Sequence, residues 1–113
     1  MKAMKNQVTL IGNLGTDPEI KTMESGAKLV KMRLATNEFY TNKQGEKVAD
    51  TQWHYVVAWG KTAELAEELL LKGSEVMVNG KLATRSYTDT DGRKRYITEV
   101  VAHDFLLLTR KAG

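Results

Sequence analysis

The run Trp53-His54-Tyr55-Val56-Val57-Ala58-Trp59 concentrates the side chains with the most chemistry to offer. In an extended strand successive side chains alternate faces, so Trp53, Tyr55, Val57 and Trp59 share one side and the small apolar Val56 and Ala58 take the other. The second set suits a packed interior; the first lines up three amphipathic rings that can stack on flat ligands. Burial beneath a helix, an arm or a subunit interface would serve the same rings equally well, because aromatic residues usually pack. Location decides between these readings. Tyr40, with Phe39 beside it, and Tyr87 bring rings to two further places, and cations are interleaved with all of them. Lys31 and Arg33 precede the first group, Lys43 and Lys47 lie within a polar stretch, Lys61 follows Trp59, Arg85 lies beside Tyr87, and Arg93, Lys94 and Arg95 come after it. Rings that accept any base, with cations that follow phosphates, are what a groove for an unpaired polynucleotide requires. The candidate binding residues are therefore Tyr40, Trp53, Tyr55, Trp59, Tyr87, Arg33, Lys43, Lys61, Arg85 and Arg95. Solubility alone accounts for any single surface cation, so the set as a whole carries the signal.

Catalytic chemistry finds no comparable support. The chain has no cysteine, which excludes disulfides, thiolate zinc sites and cysteine nucleophiles. His54 and His103 lack acidic neighbours at a metal-ligand spacing and read as structural or interface hydrogen-bonding groups. Gly12-Asn13-Leu14-Gly15 lacks the lysine and following helix of a phosphate-binding loop, so both glycines read as turn residues. Glu64, Glu67 and Glu68 read as the solvated face of a helix rather than an acid and base pair. No catalytic residue, metal or cofactor is expected, and the chain is not read as an enzyme.

The elements that must position these residues follow from periodicity. Asn6 to Asn13 reads as a first strand ended by Gly12, Gly15 and Pro18, and Leu29 to Thr36 as a second, with Val30, Met32 and Leu34 inward and Lys31 and Arg33 outward. A turn at Glu24-Ser25-Gly26 joins them. The polar stretch 37–51, with Asn42-Lys43-Gln44-Gly45 at its middle, reads as a projecting hairpin arm leading into a third strand, Gln52 to Trp59. Lys61 to Leu71 changes to helical spacing through Ala63, Leu65, Ala66, Leu69 and Leu70, with Thr62 as N-cap and Lys72-Gly73 as stop. Ser74 to Ala83 alternates as a fourth strand, and Asp89-Thr90-Asp91-Gly92 turns the chain into a fifth, from Arg95 to about Leu108. Three strands, a helix and two strands is the order of an OB-fold: an all-β Greek-key barrel of five strands with one helix between strands 3 and 4, here with extended hairpin arms.

The 113 residues suit one domain, 1–113. Seventeen Lys and Arg against fourteen Asp and Glu give a formal charge of +3, compatible with a polyanionic partner without demanding one. The start, Met1-Lys2-Ala3-Met4-Lys5-Asn6, lacks a signal peptide's apolar stretch, and no run approaches the ~20 apolar residues of a membrane helix. A soluble cytoplasmic protein, associated with the nucleoid and not with a membrane, is expected.

Several ordered segments sharpen this. Val8-Thr9-Leu10-Ile11-Gly12-Asn13-Leu14-Gly15-Thr16-Asp17-Pro18-Glu19, Leu34-Ala35-Thr36-Asn37-Glu38, Gln52-Trp53-His54-Tyr55-Val56-Val57 and Tyr96-Ile97-Thr98-Glu99-Val100-Val101 resemble the bacterial single-stranded-DNA-binding protein family over nearly the whole chain. So do Gly60-Lys61, Leu71-Lys72-Gly73-Ser74 and Gly80-Lys81-Leu82-Ala83-Thr84-Arg85-Ser86-Tyr87. The resemblance implies stacking sites at Tyr40, Trp53, Trp59 and Tyr87, a homotetramer with His54 near a subunit contact, and a role in coating and protecting single strands during replication, recombination and repair. Full-length relatives continue into a glycine- and proline-rich linker with an acidic tip, whereas this chain ends Leu108-Thr109-Arg110-Lys111-Ala112-Gly113, so partners recruited through such a tip are not expected. An alternative reading is a primosome-type OB-fold assembly protein, whose rings serve protein contacts and whose DNA binding is weak. A nuclease of this fold needs a metal-binding carboxylate cluster that the sequence does not display.

Overall fold

The structure is a computed structural model that describes residues 5–109. The readings placed on the first four and last four residues lie outside it. Six strands and one helix follow in the order β1 (Val8–Leu14), β2 (Glu19–Thr22), β3 (Lys28–Thr41), β4 (Lys47–Trp59), α1 (Gly60–Leu69), β5 (Glu75–Thr88) and β6 (Lys94–Thr109). The sheet runs β1-β5-β6-β4-β3-β2, and β1 also pairs with β3 through Asn13 opposite Ala35 and Leu14 opposite Leu34. That pairing closes β1, β5, β6, β4 and β3 into the expected five-stranded OB-type barrel.

The helix follows the fourth strand rather than the third because β2 adds a short strand along the edge of β3, from Glu19 opposite Lys31 to Thr22 opposite Lys28. Four residues with Ile20 as the one apolar member give no readable alternation. The turn after β2 is where Glu24-Ser25-Gly26 placed it, with the Met23 amide donating to the Ala27 carbonyl at 2.8 Å.

The interior is filled as strand parity requires. Val30, Met32 and Leu34 of β3, Val56 and Ala58 of β4, Val76 and Val78 of β5 and Val100 and Ala102 of β6 are buried together. Helix α1 covers one end of this core with Ala63 and Ala66, small residues that let it approach closely, and the following Leu70 fills the space beside them. Lys28 on β3 donates to Glu67 on the helix at 2.8 Å; this hydrogen bond and the carboxylate charge raise the lysine's pKa above its ordinary value.

Both helix ends differ from expectation. Trp59 occupies the N-cap position without a side-chain hydrogen bond, and Gly60, at φ +60°, makes the abrupt passage from strand to helix. Thr62 instead donates its hydroxyl to the His103 carbonyl at 3.1 Å, tying the helix to β6. The helix stops at Leu69 with Leu70 as C-cap, so Gly73 lies beyond the cap, in the turn into β5.

Beyond the barrel the β3–β4 and β5–β6 ladders continue as two long arms. The first remains in unbroken register from Leu29 opposite Trp59 to Thr41 opposite Lys47, and the second reaches Thr88 opposite Lys94. They contribute to a long dimension of 55 Å. Each tip is fixed by an acceptor side chain: Asn42 Oδ1 takes the Gln44 and Glu46 amides, and Asp89 Oδ1 takes the Asp91 and Arg93 amides.

Candidate nucleic-acid interface

The alternation that fills the barrel sends the other residues of β3 and β4 outward. Trp53, Tyr55 and Trp59 are each about half exposed, at 50%, 50% and 48%, so none is sealed in the interior. Val57 shares their parity but is covered, forming part of the floor between them. Arg33 stands opposite Tyr55, and its guanidinium carbon lies 4.8 Å from the Trp53 ring centroid and 5.8 Å from that of Tyr55. Cation–π attraction therefore holds a charge over the rings rather than beside them. Lys31, opposite Val57, continues the same outer row.

Two grooves meet at Lys31. One, of about 370 Å³, runs between Thr16, Asp17 and Glu19 and the Arg33–Tyr55 pair. The other, of about 360 Å³, is walled by Trp59 and Arg85, with Leu29, Val57, Val101 and Glu99 among its lining. It crosses the seam where β4 and β6 run parallel, Val56 opposite Val100 and Val57 opposite Val101. Further out on β5 and β6, Tyr87 and Arg95 are register partners with the same parity as Arg85 and Glu99. Trp53, Arg33, Tyr55, Trp59, Arg85, Tyr87 and Arg95 thus share one continuous outer face.

Three candidates stand apart from it. Tyr40 is 55% exposed, but the unbroken β3 register gives it the parity of Leu34, so it projects from the opposite face of the arm. Phe39 has the outward parity instead, with Lys47 Nζ 4.8 Å from its ring centroid. Counting in twos from Arg33 reaches Phe39. Lys43 sits in the arm's tip turn, six strand residues or roughly 20 Å beyond Ala35 at Thr41 and past it. Lys61 is exposed in the first turn of the helix, next to Trp59 in sequence. His54, inward of the rings, is partly buried and shares a hydrogen bond between its Nε2 and Thr36 Oγ1 at 2.9 Å.

Two of the arginines are already engaged. Arg85 Nε donates to Glu99 Oε1 and Arg95 Nε to Asp89 Oδ2, both at 2.8 Å. The Arg95 hydrogen bond, with the Arg93 amide second, holds the Asp89 carboxyl below the usual range. Among the described residues Arg33 forms no ion pair, and no cluster of His, Asp and Glu that could hold a metal occurs.

Gly12 and Gly15 serve close approach rather than turn formation. Gly12 lies inside β1 opposite Val76, where a Cβ would stand 2.1 Å from the Ala35 carbonyl oxygen. At Gly15 a Cβ would stand 2.5 Å from the Trp53 six-membered ring. Gly15→Ala should therefore push that ring out of its seat, visible as a shifted tryptophan emission maximum and loss of the Arg33 contact, with the barrel's far-UV circular dichroism retained.

A closed small barrel with an open row of rings and cations across its outer face defines a single-strand-binding OB-fold protein. The comparisons agree. The family model of the Single-strand binding protein family matches residues 5–108, and the chain belongs to that family. Among solved structures it is similar to the Plasmodium falciparum SSB in complex with ssDNA, at 31% identity and a TM-score of 0.84, covering 96% of this chain and 99% of that one. Members of this family are binding proteins, in keeping with the absence of any catalytic constellation in the sequence reading.

Proposed function

We propose that this protein binds single-stranded DNA without sequence preference, stacking bases on Trp53, Tyr55, Trp59 and Tyr87 and meeting phosphates with Lys31 and Arg33. The observation that carries this reading is the placement of Arg33 over two half-exposed rings on the outer face of the barrel. Rings offer a π-face to every base, so stacking carries no preference for sequence. Family membership and the DNA-bound relative support it. In the cytoplasm such a protein coats and protects strands exposed in replication, recombination and repair. The assembly-protein alternative is not favoured, since the rings form an open groove lined with cations rather than a flat apolar face.

Exposed apolar side chains also gather elsewhere. Ile11, Leu106 and Leu108 are 52%, 57% and 45% exposed, with Ile11 and Leu106 both opposite Met77 of β5, beside a hollow lined by Thr9, Met77, Asn79, Asp104, Phe105 and Leu106. We assign this face of β1, β5 and β6 to further copies of the chain, in the homotetramer that the sequence resemblance implies, with His54 near a subunit contact.

Titration with oligo-dT at low salt, read by tryptophan fluorescence and by solution mass together, tests both. Quenching is expected, with affinity falling by ~0.7 log units per log unit of salt for each phosphate contact, and a mass of four chains before DNA is added. Unquenched fluorescence with no complex overturns the binding assignment; a monomer mass overturns the tetramer.

A further inference from the structure

The arginines of the groove face are in two electrostatic situations. Arg33 lies over rings and keeps its charge available to an incoming anion. Arg85 and Arg95 each donate from Nε to a carboxylate of their own arm. The Glu99 side chain is 9% exposed while that of Arg85 is 49% exposed, so the carboxylate forms the floor and the guanidinium the wall of the groove beside Trp59.

A carboxylate in contact with a guanidinium leaves a pair with no net charge, and only net charge on the protein neutralises a phosphate and releases its counterions. Exchanging Glu99 for a phosphate would strand a buried carboxylate without its partner, which is strongly unfavourable. The pair therefore persists under a bound strand. Asp89 does the same for Arg95 at the arm's tip, where it also holds the turn.

We propose that Glu99 and Asp89 mask Arg85 and Arg95 against phosphate, so that this part of the groove receives bases on Tyr87 and next to Trp59 while its phosphates are neutralised by the Lys31 and Arg33 row. Glu99 thereby sets both the affinity and the salt sensitivity of the site. The proposal rests on the single-strand reading above.

The test compares the full chain with E99Q, D89N and K31A on oligo-dT over a range of salt. Glutamine retains an acceptor for Arg85 Nε and removes only the charge; asparagine retains the acceptor that holds the tip turn. E99Q and D89N are each expected to steepen the dependence of log affinity on log salt by about 0.7. Each then loses roughly threefold more affinity than the unaltered chain between 50 and 200 mM salt, and binds more tightly at the low-salt end. K31A should make the slope shallower by a similar amount. Because Asp89 lies at an exposed tip, D89N keeps the test decisive if E99Q fails to fold. Unchanged or shallower slopes in the carboxylate variants, with weaker binding, would overturn the proposal and make Glu99 and Asp89 positioning residues for phosphate-binding arginines. Absence of oligo-dT binding by the unaltered chain would instead defeat the single-strand reading itself.

Discussion

Replacing Trp53 and Trp59 together by alanine is expected to weaken oligo-dT binding several hundredfold. Each base stacked on a ring contributes ~1–3 kcal/mol, and two such contacts near the middle of that range sum to about 4 kcal/mol. The two rings are six residues apart on one strand face, roughly 20 Å along the strand, so they receive different bases and their losses should nearly add. Removing Trp53 also takes away the ring that holds the Arg33 guanidinium. The loss should be alike for oligo-dT, oligo-dC and mixed sequences in fluorescence anisotropy at fixed salt. A loss confined to one base composition would mean that edges are read.

The largest expected effect on stability lies one residue from the groove. Leu34 is fully buried, between the outward Arg33 and the pair formed by Ala35 and Trp53. Leu34→Ala removes three buried carbon atoms and leaves a cavity that the closed barrel cannot collapse, which costs about 3 kcal/mol. For a chain of this length that corresponds to a fall in Tm of roughly 10–15 °C, measured by calorimetry at one fixed protein concentration. A fall of under about 3 °C would mean that the barrel repacks around the gap.

Strand parity was the most legible feature of the sequence. Alternation in 53–59 and 30–34 identified both the interior and the outward rings and cations, because a barrel with one packed face leaves each side chain only two environments. Element ends and short elements were less legible. Four residues of β2 carry too little pattern to register, and Thr62 has an N-cap's chemistry but sits inside a helix that Gly60 starts abruptly. The parity count from Arg33 places Phe39 on the ring face and Tyr40 on the opposite face of the arm.

The masked arginines required pairing information that no local pattern contains. Arg85 stands directly opposite Ile97, and its carboxylate comes from Glu99, the diagonal neighbour two residues along β6. Only a known register across the second turn brings these two together. Arg85 and Arg95 read as phosphate contacts because they are interleaved with the rings, and neither ion pair is visible without the register.

The parallel junction of β4 with β6 is a short closure of the barrel, two residue pairs long like that of β1 with β3, and it runs beneath the Trp59 groove. A ligand lying from Trp59 across to Tyr87 would span that closure from outside, like a suture over a short weld. Occupancy and cohesion of the barrel are then linked, and the bound protein resists unfolding by an amount that grows with the logarithm of free strand concentration over its dissociation constant.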